Sequence, residues 1–157
     1  MRTALAVAVG LVAAVSMVPA ADAKAPEACS TLTQADVDAA LGAGFTPLPQ
    51  ARGGSDYSAC GYQKGRDTAA VTILGAPGGN GVEANTGREE RQRAAGHAIT
   101  PLPGLCDRAF LANLGPTASI LMAAKGAWQV DVQVTISGKS SPEAARKLAR
   151  SVCGRLR

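Results

Sequence analysis

The segment from Trp128 to Ile136 restricts the possible fold more than any other, because apolar and polar side chains alternate along it. Its five apolar residues occupy every second position, and the positions between them carry Gln129, Asp131, Gln133 and Thr135. Such alternation is typical of a strand in an antiparallel sheet with one buried and one wet face. The segment 117–124 is also largely apolar, and Lys125-Gly126 favours a hairpin turn that joins it to the strand over 127–136.

Further helices and strands are predicted on both sides of this hairpin. Thr33 has the features of a helix N-cap, with Asp36 three residues later, and Gly42 is a typical helix end. In chain order we predict a helix over 34–41, strands over 57–63 and 68–74, a polar helix over 82–95, a strand over 107–112, the hairpin, and a helix over 142–155. This order, α-β-β-α-β-β-β-α, predicts a single α+β domain over 24–157, with one antiparallel sheet of about five strands packed by helices.

Four cysteines indicate how this domain is stabilised. They are Cys29, Cys60, Cys106 and Cys153, and no C-x-x-C pair is present. We therefore expect two structural disulfides rather than a metal or redox site, with three connectivities open. Cys153 lies on the apolar stripe of the last helix, so it faces the core and needs a partner on the surface that this helix covers. Since Cys106 begins a predicted strand and Cys29 precedes the first helix, we predict the pairs Cys29–Cys60 and Cys106–Cys153.

The first 23 residues have the features of a secretory signal peptide. Arg2 is the positive residue, the run from Ala4 to Val18 is apolar, and Ala21-Asp22-Ala23 fits a signal-peptidase site. Pro19 ends the apolar run before it reaches the length of a membrane span. No lipidation motif precedes Cys29. We expect cleavage after residue 23, an exported protein that is periplasmic or secreted, and no transmembrane segment after cleavage.

Several motifs resemble those of uncharacterised envelope proteins and lipoproteins of high-GC bacteria. That family begins with Cys-x-x-Leu-Thr-x-x-[Asp/Glu]-Val-x-x-Ala-Leu-Gly, which matches residues 29–42, and continues with a Cys-x-Tyr strand, which matches Cys60 and Tyr62. Pro103-Gly104, the Lys125-Gly126 hairpin and an alanine-rich last helix complete the resemblance. It implies an envelope location and an α+β domain, and it supports the Cys29–Cys60 bridge. It implies no catalytic residues.

Catalytic or cofactor motifs are scarce. His97 is the single histidine, no G-x-S-x-G motif accompanies it, and a surface loop position is the simpler interpretation. Glu89-Glu90 lies among arginines, which is typical of a solvated, ion-paired helix face. The glycine-rich segment 75–81 lacks both the phosphate-loop ending and the dinucleotide spacing. We expect no catalytic residue, no metal site and no cofactor.

Basic residues are concentrated in the last predicted helix: Arg146, Lys147, Arg150 and Arg155. One interpretation is a solvated face whose charges complement the helix dipole. The other is a site for anions, which would contact anionic lipid, a polyanionic polymer or an acidic protein. Nucleic acid is not expected, because the chain is predicted to be exported and has only five aromatic residues for base stacking.

These observations favour an exported, non-catalytic, disulfide-stabilised binding module for a protein or a small envelope ligand. A small secreted hydrolase that uses His97 is the first alternative. A structural envelope protein held electrostatically by the last helix is the second.

Overall fold

Residues 24–49 and 54–157 are described by the computed structural model. The predicted signal peptide over 1–23 lies outside the described residues. Within the described ranges, none of the helices has the length and apolar character needed to cross a membrane.

Four helices and eight strands make up the described chain. The helices are α1 (Ala28–Thr31), α2 (Gln34–Leu41), α3 (Gly81–Ala94) and α4 (Pro142–Arg155). The strands are β1 (Thr46–Pro47), β2 (Tyr57–Lys64), β3 (Asp67–Gly75), β4 (Ala98–Pro101), β5 (Arg108–Asn113), β6 (Ser119–Lys125), β7 (Trp128–Ile136) and β8 (Lys139–Ser140). A single 3-10 turn, Pro77–Gly79, lies between β3 and α3.

All strands pair antiparallel in one sheet, which confirms the predicted α+β class. The strand order is β1-β2-β3-β7-β6-β5-β4, and β8 pairs with β7. The sheet therefore has eight strands, not about five, and the predicted element order was wrong. The missed elements β1, β8, β4 and α1 are two to four residues long, too short for a periodic pattern to develop.

The inner face of the sheet carries the main core. In β7, Val130, Val132 and Val134 point to this face and are almost fully buried. Val132 is opposite Val71 of β3 and Leu121 of β6, so one apolar layer crosses the central strands. Helices α1 and α4 pack on this layer and α2 packs on α4, and Leu32, Val37 and Leu148 belong to the same buried core.

The outer face is only partly covered, and α3 is the helix that covers it. Beneath α3 lies a second apolar cluster on β5 and β6, consisting of Phe110, Ala112, Ile120 and Met122. The first residue of α3, Gly81, lies so close to the β6–β7 hairpin that a Cβ would be 2.6 Å from the Gly126 carbonyl oxygen. Only glycine permits this approach.

The prediction that the polar face of β7 is wet was wrong over its first half. Gln129 is buried, because α3 crosses this part of the strand, whereas Gln133 is exposed. Arg88 of α3 reaches Asp131 and donates to both carboxylate oxygens at 2.6 Å. The alternation identified the strand correctly but could not show that a polar helix covers its polar side.

The two predicted disulfides are confirmed. Cys29 of α1 is bonded to Cys60 of β2, with Cα atoms 5.0 Å apart. Cys106, in the loop before β5, is bonded to Cys153 of α4, with Cα atoms 5.6 Å apart. The first bridge fixes α1 to the sheet, and the second fixes α4 to the loop between β4 and β5.

The predicted start and end of α2 are also confirmed. The Thr33 hydroxyl accepts from the Asp36 backbone N–H, and the Asp36 carboxylate accepts from the Thr33 backbone N–H, which completes a capping box. The helix ends at Leu41, followed by Gly42 as its C-cap.

A candidate anion-binding cleft beside the last helix

The segment 101–105 between β4 and β5 forms one wall of the candidate site. The Leu105 backbone N–H donates to the Leu102 carbonyl oxygen at 3.4 Å, which closes a turn over Pro103-Gly104. Gly104 has φ of +74°, as the third residue of a type II turn requires. The Leu102 N–H donates to the Ala109 carbonyl oxygen at 2.9 Å and ties the turn to β5.

Helix α4 forms the opposite wall. Its buried stripe faces the sheet and consists of Ala144, Ala145, Leu148, Ala149, Val152 and Cys153. Arg146 and Arg150, one helical turn apart, are exposed on the flank nearest the turn. The Cys106–Cys153 bridge holds the two walls together, and Cys106 adopts a φ of +57° to reach it.

A cleft of about 230 Å³ lies between these walls, and we name it the α4 cleft. Its lining is Pro101, Leu102, Pro103, Leu105, Arg146 and Arg150. A second opening of about 220 Å³ adjoins it and shares Leu105 and Arg150. The α4 cleft therefore combines an apolar wall with two guanidinium groups.

The structure separates the four predicted anion-binding residues. Arg146 and Arg150 line the α4 cleft and make no hydrogen bond or ion pair with any described residue. Lys147 lies on another flank, 3.3 Å from Glu143, beside Ala40 and Leu41. Two of the four residues therefore remain available to an anion at one site.

Arg155 is occupied within the fold. Its guanidinium donates to both carboxylate oxygens of Asp36, at 2.7 and 3.0 Å, and to the Thr31 carbonyl oxygen at 2.8 Å. The hydrogen bond to Asp36 raises the pKa of Arg155 despite its partial burial. Arg155 therefore joins α4 to α2 and does not belong to the α4 cleft.

The acidic residue nearest the turn has its own partners. Asp107 accepts from the Gly126 backbone N–H at 2.7 Å and from Lys125 Nζ at 2.8 Å. These two hydrogen bonds lower the pKa of Asp107, so it stays ionised while its charge is balanced locally. Asp107 therefore pairs with Lys125 and not with Arg146 or Arg150.

His97 is distant from Ser58, the serine on β2. It lies just before β4, and its Nδ1 is 2.6 Å from Gln92 Oε1. Ser58 is buried on β2, where its hydroxyl accepts from the Ala28 N–H. Five strand spacings separate β2 from β4, which is about 24 Å. Ser58 and His97 therefore do not form a nucleophile–base pair.

Glu89 is more enclosed than predicted. It accepts from Arg93 at 2.8 Å and from Arg108 of β5 at 2.6 Å, and only 12% of its side chain is exposed. Hydrogen bonds from Arg93 and then Arg108 lower the pKa of Glu89, although burial opposes them. The residue therefore fixes α3 to the sheet rather than facing solvent.

Residues of α3 and of β7 form a polar interface that was not predicted from the sequence. Burial raises the pKa of Asp131, and the Arg88 guanidinium opposes this rise. Asn85 is fully buried, and neither its amide nitrogen nor its amide oxygen has a hydrogen-bond partner among the described residues. A sequence pattern that indicates such an interface is present, because the spacing of Asn85, Arg88 and Glu89 places all three on one helical face, and this face has no large apolar residue.

In the described parts of the chain, no group of three or more histidine, cysteine, aspartate or glutamate side chains is placed so that it could hold a metal ion. In comparisons with known proteins, the chain matches no family model, no curated protein and no solved structure.

Proposed function

We propose that the chain is an exported, non-catalytic binding module, stabilised by two disulfides, whose α4 cleft takes an anionic ligand. The observation that carries this proposal is the contrast within α4. Lys147 and Arg155 are engaged by Glu143 and Asp36, whereas Arg146 and Arg150 line a cleft without a partner among the described residues. A guanidinium pair one turn apart suits bidentate hydrogen bonding to a carboxylate or phosphate.

Export is the second part of the proposal. Two disulfides are typical of an oxidising compartment, since the cytosol keeps thiols reduced. The signal-peptide features of residues 1–23 and the resemblance of residues 29–42 to bacterial envelope proteins support the same location. The ligand is then a small molecule or an acidic protein segment of the envelope.

Nuclear magnetic resonance titration tests the site directly. The oxidised protein is titrated with three anionic probes: inorganic phosphate, decanoate and a triglutamate peptide. We expect at least one probe to shift the Arg146 and Arg150 side-chain signals together with the amides of residues 102–105. The Arg146→Gln/Arg150→Gln variant should lose this response, and Lys147→Gln, which removes one charge from the same helix, should keep it.

Two results would refute an anion site in the α4 cleft. One is the absence of any localised shift with all three probes. The other is an equal response in the double variant and the native chain. If the protein binds no probe but is retained on isolated envelopes through α4, the result favours the alternative function, a structural protein held electrostatically at the envelope.

A further inference from the structure

The backbone of the α4 cleft offers few hydrogen bonds to a ligand. Pro101 and Pro103 have no N–H, and the N–H groups of Leu102 and Leu105 already donate to Ala109 and Leu102 carbonyl oxygens. A peptide recognised through its main chain needs free donors and acceptors along the wall. An acyl chain needs none, because it binds by burying apolar surface.

The two leucines of the cleft form its floor, and the rings of Pro101 and Pro103 beside them are exposed. Leu102 and Leu105 are each only 5% exposed. The exposed large apolar side chains of the described residues are Leu48, Tyr57, Val82 and Leu114, and none of them lines the α4 cleft. This shape suits one molecule that enters the cleft rather than a bilayer into which the protein inserts.

The size of the site is consistent with a short chain. The α4 cleft and the adjoining opening are each below the range of about 300–1,000 Å³ common for ligand pockets, but together they fall within it. Leu105 and Arg150 line both openings, so the two lie side by side. A ligand can therefore place a charged group at one end and an apolar segment along the turn.

We propose that the ligand of the α4 cleft is a single-chain amphiphile with an anionic headgroup. The headgroup lies between the guanidinium groups of Arg146 and Arg150, and the chain lies along the exposed rings of Pro101 and Pro103. This inference rests on the proposed function, because it specifies the ligand of the same site. Both a free fatty acid and a single-chain lipid phosphate carry this chemistry.

Calorimetric titration with amphiphiles of increasing length tests the proposal. Hexanoate, octanoate, decanoate and dodecanoate are used below their micelle concentrations, with dodecyl phosphate to distinguish the two headgroups and 1-decanol as the uncharged control. We expect the dissociation constant to fall by about two- to fourfold per added methylene, because each methylene buries apolar surface. The dissociation constant of decanol should be at least about tenfold higher than that of decanoate.

Matched variants separate the contribution of the headgroup to binding affinity from that of the acyl chain. Arg146→Gln/Arg150→Gln should weaken binding by about tenfold or more at every chain length and leave the chain-length dependence intact. Lys147→Gln should leave both unchanged. Because both arginines are exposed, circular dichroism and the unfolding midpoint should show that the double variant is folded.

The outcomes distinguish this inference from the proposed function. Arginine-dependent binding of triglutamate without any chain-length dependence among the carboxylates would refute the amphiphile and retain the anion site. Binding to anionic phosphatidylglycerol vesicles without binding to monomeric amphiphiles would also refute it, in favour of a lipid surface. If none of the probes binds in an arginine-dependent way, both proposals are refuted.

Discussion

Asp36 joins α2 to α4 through hydrogen bonds from both helices. Its carboxylate accepts from the Thr33 N–H at 2.9 Å and from the Arg155 guanidinium at 2.7 and 3.0 Å. Burial alone would raise the pKa of Asp36, but the hydrogen bonds from Arg155 and Thr33 outweigh it and lower the pKa from 3.8 to about 2. The folded state is therefore stabilised by the ionised carboxylate.

This shift predicts the pH dependence of an Asp36→Asn variant. Because the folded-state pKa lies below the unfolded value, the stabilisation is complete above about pH 5 and is lost as the pH falls through 3.8 towards 2. At neutral pH we expect the variant to be less stable by about 1–2 kcal/mol. Urea unfolding of both proteins should show this difference shrinking below pH 4. A difference that stays constant down to pH 2 would contradict the ion pair.

The buried side chain of Asn85 gives a second prediction about stability that concerns a single residue. A buried amide without hydrogen-bond partners costs about 1–3 kcal/mol, and leucine has the same heavy-atom branching without the polar atoms. We therefore expect Asn85→Leu to raise the free energy of unfolding by about 1–2 kcal/mol, measured by urea denaturation. Destabilisation instead would indicate that a bound water satisfies the amide.

Among the elements, α3 and α4 are attached to the sheet in different ways. Helix α4 buries six apolar residues, whereas the buried residues of α3 are Gly81 and Asn85. The polar side-chain contacts of α3 with the sheet include the ion pairs Arg88–Asp131 and Glu89–Arg108 and the hydrogen bond from Arg88 to Gln129. Local opening should therefore cost less for α3 than for α4.

Hydrogen exchange measures this difference. We expect the central amides of α3 to exchange at least about tenfold faster than those of α4. Arg88→Gln should increase this difference in exchange rate. Arg91→Gln removes a charge from the exposed side of the same helix and should not change exchange. Equal protection of the two helices in the native protein would contradict the expectation.

The elements also show what the sequence could and could not predict. The bounds of α2 followed from Thr33 and Gly42, and β7 followed from its alternation, because those signals are local. Strands β1 and β8 have two residues each and exist only by pairing with β2 and β7. Predicting the α4 cleft also needs the tertiary structure. Helical spacing alone does not show that Arg155 is paired with Asp36 whereas Arg150 is not.

At the scale of the whole molecule, the two disulfides have different expected roles. Each closes a loop, of 31 or 47 positions, and should contribute about 3–4 kcal/mol in the chain-entropy treatment. We expect Cys29→Ser/Cys60→Ser and Cys106→Ser/Cys153→Ser to lower stability by similar amounts. Only the second pair should also weaken decanoate binding, because it joins the two walls of the α4 cleft. Denaturation and calorimetry of both variants test this, and equal decanoate binding in both would contradict it.

The position of α4 in chain order has a consequence for biosynthesis. This helix follows every strand of the sheet, yet it supplies Leu148 to the core, Cys153 to a bridge and Arg155 to Asp36. A chain that emerges with its N-terminus first therefore exposes the part of the apolar inner face that α4 covers, on β6 and β7, until residues 142–155 arrive. A nascent chain stalled before this helix should accordingly be bound by chaperones and cleaved by proteases, whereas one extended past residue 155 should resist both.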